Sequence, residues 1–116
     1  MSRHETAETL RQILAFCSEA RGYTEGHSRE QFGTDRKLQL TIERLIELIG
    51  EASSRLPEDF RARHQEVPWA KIIGMRNRIN HGYDALDYDI LWSVVEHELE
   101  SLAHQVEAIL SRKISA

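Results

Sequence analysis

Residues 38–56 read LQLTIERLIELIGEASSRL, and this stretch decides the fold class. Its apolar residues recur in alternating steps of four and three, the seam of a helix that packs lengthwise against other helices. Further apolar residues widen the stripe, as in a bundle helix with more than one neighbour. The seam consists of Leu38, Ile42, Leu45, Ile49, Ala52 and Leu56, widened by Ile46 and Leu48.

Two capping patterns mark the helices in the first half of the chain. Ser2 is followed three residues later by a glutamate, which predicts a helix start, and Gly22 predicts its end. Ser28 is followed three residues later by a glutamine, so we expect it to open the second helix. That helix should end at Pro57, because proline cannot continue it.

The second half of the chain predicts two more helices. We expect 57–67 to be a loop with one helical turn, and a third helix to run from Pro68 to Gly82. The fourth should begin after Asp84 or Asp87 as its N-cap and run almost to the C-terminus. Its apolar residues form a second seam: Trp92, Val95, Leu99, Leu102, Val106 and Ile109.

Strand signals are almost absent from the sequence: there is no convincing alternating run and no Asn-Gly or Asp-Gly hairpin. We therefore predict an all-α fold, an up-and-down antiparallel helical bundle of about four helices, in a single domain over 1–116. Long helices in a chain this small usually leave one apolar face without a partner. A homodimer is therefore expected.

Composition excludes several classes of function. The net charge of -4 argues against whole-surface binding to nucleic acid, although a local basic site remains open. The single cysteine, Cys17, favours a reducing compartment. No apolar run approaches the ~20 residues that a membrane span needs, and the charged N-terminus lacks a signal core. We expect a cytoplasmic protein with no membrane partner.

Residues 76–83, RNRINHGY, hold the chemistry of interest. The imidazole of His81 can take or give a proton near neutral pH, and the planar guanidinium of Arg76 can bind phosphate oxygens. Together they supply what metal-independent RNA cleavage needs: proton transfer at a ribose 2′-OH and neutralisation of charge on the phosphate.

The spacing of this pattern also allows an ordinary helix end. Arg76 and His81 would lie about 140° apart on an ideal helix, with Asn77 on the polar edge between them. Basic residues are common in the last turn of any helix, where they meet the negative end of its dipole. The window from Arg61 to His81 holds five Lys and Arg against Glu66, a local excess that could dock a phosphate backbone.

The segment VPWAKIIGMRNRINHGY at 67–83 resembles the HEPN superfamily, in particular HepT-like ribonuclease toxins. The hallmark R-x4-H-x-Y is matched by Arg76, His81 and Tyr83. LIGEAS at 48–53 and the tryptophan early in the last helix, Trp92, also match. The resemblance covers most of the chain from the second helix onward.

The resemblance implies a dimeric, metal-independent endoribonuclease of a bacterial toxin–antitoxin pair, with RNA as substrate and no cofactor. Carried over, Arg76 would be the phosphate-binding group and His81 the general base or acid, with Asn77 in support. The two motif copies would face each other in a cleft between protomers. The implied partner is an MntA-like nucleotidyltransferase antitoxin that attaches AMP to Tyr83 and so blocks the site.

Other interpretations stay open at this stage. The protein could be a catalytically inactive helical binding partner of a nucleotidyltransferase, or a structural bundle whose motif is coincidental. Glu51 could orient the motif or be an exposed glutamate beside a core stripe. His97, Glu100 and His104 have helical spacing that could bind a metal, but a solvated face is the simpler interpretation. Trp69 and Trp92 are expected to pack in the interior or at the dimer interface, with stacking on RNA as the alternative.

Overall fold

A computed structural model describes residues 1–79 and 87–115 of the chain, apart from the side chains of Arg76, Ile79 and residues 113–115. Every element within these ranges is helical, which confirms the all-α prediction. In chain order the elements are α1 (Arg3–Thr24), α2 (Arg29–Thr34), α3 (Arg36–Arg55), α4 (Glu58–Arg63), α5 (Trp69–Ile73), α6 (Met75–Ile79), α7 (Tyr88–Ser93), a π-helical turn (Val94–Glu98) and α8 (Leu99–Ser115).

Three long helices, α1, α3 and α8, make the frame of the molecule, and α1 packs against both of the others. The start of α1 lies beside the end of α3, since Met1 and Pro57 line one cavity. The end of α1 lies beside the start of the last helix, since Arg21 and Trp92 line another. Neighbouring frame helices therefore run antiparallel, as an up-and-down bundle requires.

The predicted seams form the core between these helices. All the seam residues of 38–56 are buried, as are those of the last helix from Val95 onward. The stripe of α1 joins the same core through Leu10, Ile13, Cys17 and Ala20, each fully buried. Removing this apolar surface from water is the main force that holds the helices together.

The start of α1 was predicted correctly and its end was not. The Ser2 hydroxyl accepts a hydrogen bond from the Glu5 N–H at 3.1 Å, and the Glu5 carboxylate accepts one from the Ser2 N–H at 3.3 Å. The helix then continues through Gly22 to Thr24. One glycine inside a helix costs about 1 kcal/mol, which a well-packed long helix can bear. The chain turns instead at Gly26, whose φ is 81°.

The second predicted helix is two helices, separated at Asp35. Ser28 caps α2 as expected, accepting a hydrogen bond from the Gln31 N–H at 3.1 Å. Asp35 then leaves the helical conformation, and its carboxylate accepts the Leu38 N–H at 3.0 Å to start α3. Aspartate competes with helix continuation because its side chain bonds nearby backbone N–H groups. The prediction of one helix from Ser28 to Pro57 is therefore wrong.

The last helix contains a π-helical turn, in which the Leu99 N–H donates to the Val94 carbonyl. One extra residue rotates the preceding segment by about 100° relative to α8. Leu91 is fully buried, whereas Trp92 is half-buried and packs against Phe32, with ring centroids 5.3 Å apart and ring planes tilted by 43°. The predicted seam is confirmed from Val95 onward, and Trp92 packs against the core half-buried; the π-helical turn itself was not predicted.

Two short helices, α7 and α4, lie next to the frame helices in the sequence. Asp87, one of the two predicted caps, accepts the Ile90 N–H at 3.0 Å and so begins α7. The residues after Pro57 form a complete short helix, α4, where we predicted a loop with one turn. None of the helices in the described ranges is long and apolar enough to cross a bilayer.

Candidate active site

Aromatic packing anchors the start of the segment that carries the motif. α5 begins directly after Pro68, as predicted. Trp69 is buried, and its indole N–H donates to the His64 carbonyl at 3.0 Å. Phe60 lies against both His64 and Trp69, with ring centroids 4.5 and 6.4 Å apart. The prediction that Trp69 packs in the interior is confirmed.

The predicted third helix is broken at Gly74 into α5 and α6, each of five residues. The Gly74 N–H donates to the Ala70 carbonyl at 3.0 Å, and the Asn77 N–H donates to the Gly74 carbonyl at 3.0 Å. Isolated helices shorter than about 12 residues are marginal in water, so α6 depends on tertiary contacts. The predicted end of this helix, Gly82, lies outside the described residues.

Gly50 lets α3 approach the backbone of α5 closely. A Cβ built at Gly50 would lie 3.4 Å from the carbonyl oxygens of both Ile72 and Ile73. These distances correspond to ordinary van der Waals contact, so an added methyl group would touch the α5 backbone directly. The sequence carried a signal for this contact, because an isolated glycine inside a strong helical stripe indicates close packing. LIGEAS had supported only the family resemblance.

Arg78 of α6 and Glu98 of the π-helical turn form a two-point ion pair. The Arg78 Nη1 and Nη2 atoms lie 2.8 and 3.0 Å from the two carboxylate oxygens of Glu98. The Lys71 ammonium lies 3.4 Å from the same carboxylate. Hydrogen bonds from Arg78 lower the pKa of Glu98, against the opposing effect of burial, and the same bonds raise the pKa of Arg78. No sequence signal pointed to Glu98, because it lies 20 residues from its partner.

The excess of positive charge in residues 61–81 is partly neutralised in the folded structure by acidic residues from outside this window. Asp59 and Glu98 lie outside that window, yet Asp59 pairs with Arg63 at 3.3 Å and Glu98 pairs with Lys71 and Arg78. The expected phosphate-docking surface therefore loses Arg78 in this structure, since a carboxylate occupies both prongs of its guanidinium.

The structure describes only some of the predicted site residues. The backbone of Arg76 lies in α6, and Asn77 is exposed on the same helix. The side chain of Arg76 and all of His81 and Tyr83 lie outside the described residues. The approach of Arg76 to His81 in a cleft between protomers therefore stays a prediction.

Glu51 is exposed in the structure, and its carboxylate lies 3.7 Å from the Arg44 guanidinium. It borders a small groove between α3 and α5 that Gly50 and Ile73 also line. This contact fits the simpler of the two interpretations, an exposed glutamate beside a core stripe.

The helical histidines do not assemble a metal site. In the part of the chain that the structure describes, no three His, Cys, Asp or Glu side chains lie close enough to hold an ion. His97 and His104 are exposed on the last helix, as a solvated face requires. Cys17 is fully buried, and burial raises the pKa of its thiol to about 12, which makes it an inert core residue.

Comparison with known proteins assigns the chain to a family. A family model described as "Ribonuclease HepT-like" matches residues 13–109. A "Putative RNase" of Caldanaerobacter subterraneus subsp. tengcongensis is 38% identical over 104 residues, which cover 90% of this chain and 93% of the relative. The "Probable ribonuclease HepT" of Thermococcus cleftensis is 38% identical over 80 residues, 69% of this chain and 73% of the relative. No solved structure matches the chain.

The matched region runs from α1 into α8 and includes both α6 and the R-x4-H-x-Y residues. It therefore covers the frame of the molecule together with the segment that carries the candidate chemistry. The chain belongs to the HepT-like ribonuclease family, which confirms the resemblance and the enzyme class predicted from its sequence.

Proposed function

We propose that the protein is a metal-independent endoribonuclease that cuts RNA with Arg76 and His81. The observation that carries the proposal is the family match over residues 13–109, which includes the complete R-x4-H-x-Y pattern. The position of residues 76 and 77 on a short helix that packs against α3 and α7 supports it. Catalytic groups are commonly held in this way, on a small element positioned by a rigid scaffold.

The proposed reaction needs proton transfer and charge neutralisation. A His81 imidazole takes the proton from the ribose 2′-OH, and the oxygen attacks the adjacent phosphorus. Arg76 binds the non-bridging oxygens, on which negative charge grows in the transition state. The bond to the 5′-oxygen breaks, and that oxygen leaves with a proton from a general acid. The products are a 2′,3′-cyclic phosphate and a 5′-hydroxyl end.

A homodimer gives this mechanism both an acid and a base. Two-fold symmetry would place two copies of His81 at one cleft, so one neutral imidazole could accept the proton while a protonated one donates. Asn77 would support the pair by hydrogen bonding from the same helix.

We further propose that the protein is the toxin of a bacterial toxin–antitoxin pair whose antitoxin is an MntA-like nucleotidyltransferase. Transfer of AMP to Tyr83, two residues from His81, would place a phosphodiester where the RNA phosphate must sit. The added negative charge would occupy Arg76 and repel RNA.

The nuclease proposal is tested with purified wild-type protein and a labelled RNA oligonucleotide in excess EDTA. We expect cleavage that leaves 2′,3′-cyclic phosphate ends. No cleavage is expected for the same oligonucleotide with 2′-deoxyribose at the scissile position, because the nucleophile is missing. Cleavage that requires a divalent metal, or that proceeds at the deoxy position, would refute the mechanism.

The toxin proposal is tested by expression in a bacterial cell, alone and together with the candidate nucleotidyltransferase. Expression alone should arrest growth, and co-expression should restore it and add the mass of one AMP to the peptide that contains Tyr83. Tyr83→Phe should escape the modification. Normal growth in the absence of the antitoxin would favour the inactive binding partner instead.

A further inference from the structure

The two-point ion pair between Arg78 and Glu98 joins α6 to the last helix of the frame. Both side chains are partly shielded from solvent: Arg78 is 35% exposed and Glu98 22%. Both prongs of the guanidinium are used, at 2.8 and 3.0 Å from separate carboxylate oxygens. Such a planar fork fixes direction as well as distance.

Fixing Arg78 also fixes the rotation of α6 about its own axis. Residues 76 and 78 stand two positions apart on this helix, so their faces are separated by a constant angle of about 200°. α6 has five residues and follows the break at Gly74, so helical hydrogen bonding alone would not hold that rotation. The buried Met75 anchors α6 in the core, and the Arg78–Glu98 pair adds a second, directional contact to this helix.

We propose that Glu98 is a positioning residue for the ribonuclease reaction and acts through Arg78 to hold α6 in its working orientation. This inference rests on the proposed function, because it assigns the purpose of the orientation to Arg76 and Asn77. Lys71 supports the arrangement from α5, since its ammonium lies 3.4 Å from the same carboxylate. One acidic side chain thus connects both short helices to the frame.

A rival role for Arg78 makes the opposite prediction. If Arg78 were a docking group for the RNA backbone, Glu98 would compete with phosphate for its guanidinium. Removing the carboxylate would then free Arg78, lower KM and raise kcat/KM. In the positioning role, removing it releases α6 and lowers kcat, because a misplacement of about 1 Å can cost up to about a hundredfold in rate.

The experiment measures kcat and KM for RNA cleavage by the full-length wild-type protein and by Glu98→Gln, which keeps the shape and removes the charge. We expect kcat to fall about tenfold or more while KM stays within about twofold. Glu100→Gln is the matched control, because Glu100 is exposed two residues further along the same helix. It should leave both constants unchanged.

Two further variants separate positioning from a loss of fold. The charge reversal Arg78→Glu combined with Glu98→Arg should recover part of the kcat that each single reversal loses, since the pair is restored with its ends exchanged. Hydrogen exchange of the Met75–Ile79 amides should be faster in Glu98→Gln than in Glu100→Gln, with the amides of α3 unchanged.

The outcomes distinguish this inference from the proposed function. A Glu98→Gln variant with unchanged or raised kcat, or with lowered KM, would overturn the positioning role while leaving the nuclease proposal intact. A wild-type protein that cuts no RNA would refute the proposed function instead. In that case hydrogen exchange at 75–79 would still decide whether Glu98 holds α6, and equal exchange in the two variants would overturn that as well.

Discussion

The frame helices are held by long buried stripes, whereas the motif segment, residues 69–79, adds a close backbone contact and an ion pair to a few buried side chains. α1 and α3 have 22 and 20 residues, and each buries a long apolar stripe in the common core. α5 and α6 have five residues each, with a break between them at Gly74. Trp69, Ile72 and Met75 bury this segment in the same core, and the close approach at Gly50 and the Arg78–Glu98 pair connect it further to the frame.

Stability and activity can therefore be altered separately in the two regions. Many apolar contacts together stabilise the frame, so removing one of them should lower the free energy of unfolding. A few specific contacts place the motif segment, so its losses should appear in activity before they appear in stability.

The largest effect on stability is expected from truncation in the frame. Ile42 is fully buried in α3, so Ile42→Ala should lower the free energy of unfolding by about 2–5 kcal/mol through lost transfer energy and a cavity. Urea denaturation measures this. Leu40→Ala is the control on the same helix: Leu40 is 45% exposed, and its truncation should stay within about 0.5 kcal/mol. Equal losses in the two variants would contradict the assigned core.

The next largest loss of stability is expected at the contact between α3 and the motif segment. Gly50→Leu should force α5 away from α3, cost about 1–3 kcal/mol and lower RNA cleavage further than the loss of folded protein explains. Gly22→Leu is the matched control, because a Cβ at Gly22 meets nothing within 4 Å. It should be neutral or stabilising, since glycine is a poor helix former. A fully active Gly50→Leu would show that the close approach is dispensable.

A smaller effect is expected at the break that precedes the frame helix α3. Asp35→Ala removes the side-chain acceptor for the Leu38 N–H and should cost about 1 kcal/mol in thermal or urea unfolding. Asp35→Asn should retain nearly all of the stability, because asparagine caps helices about as well. If the two variants were equally destabilised, the charge of Asp35 and not its capping bond would be the cause.

The smallest effect is the contribution of Glu98 to the pH dependence of the free energy of unfolding. Its pKa is lowered in the folded protein from the ordinary 4.5, chiefly by hydrogen bonds from Arg78, so the folded state binds the proton less readily than the unfolded state. The resulting stability is present above the ordinary pKa and is lost as pH falls through the lowered one.

Unfolding measured from neutral pH to about pH 3 should therefore show a difference between wild type and Glu98→Gln that shrinks below about pH 4.5. Glu100→Gln controls for the removal of one negative charge. A wild-type advantage that grows on acidification would mean that the ion pair does not stabilise the fold.

The sequence predicted those parts of the fold that depend on local patterns. The seam of α3 was predicted residue by residue, because helical periodicity records which face is buried. Ser2 and Ser28 were predicted as caps because both partners of a capping box lie within four residues. The position of Arg76 on a helix was predicted from the pattern of residues 68–82 and from the resemblance to a family.

Features that depend on tertiary context could not be predicted in this way. The break at Gly74 divides a stretch that the local pattern predicted as one helix, and both short helices on either side of it contact α3. The π-helical turn at 94–98 leaves no mark in the hydrophobic period that we could use. Glu98 pairs with Arg78 across 20 residues of sequence, and no spacing rule connects them.

Single-turnover cleavage in EDTA measures whether one guanidinium and one imidazole of the motif cleave RNA without a metal. We expect Arg76→Ala and His81→Ala each to lower the rate at least about a hundredfold with unchanged helical content. His104→Ala, at an exposed histidine on α8, should cut at the wild-type rate. Cleavage by purified His81→Ala at the wild-type rate would contradict a catalytic role for this imidazole.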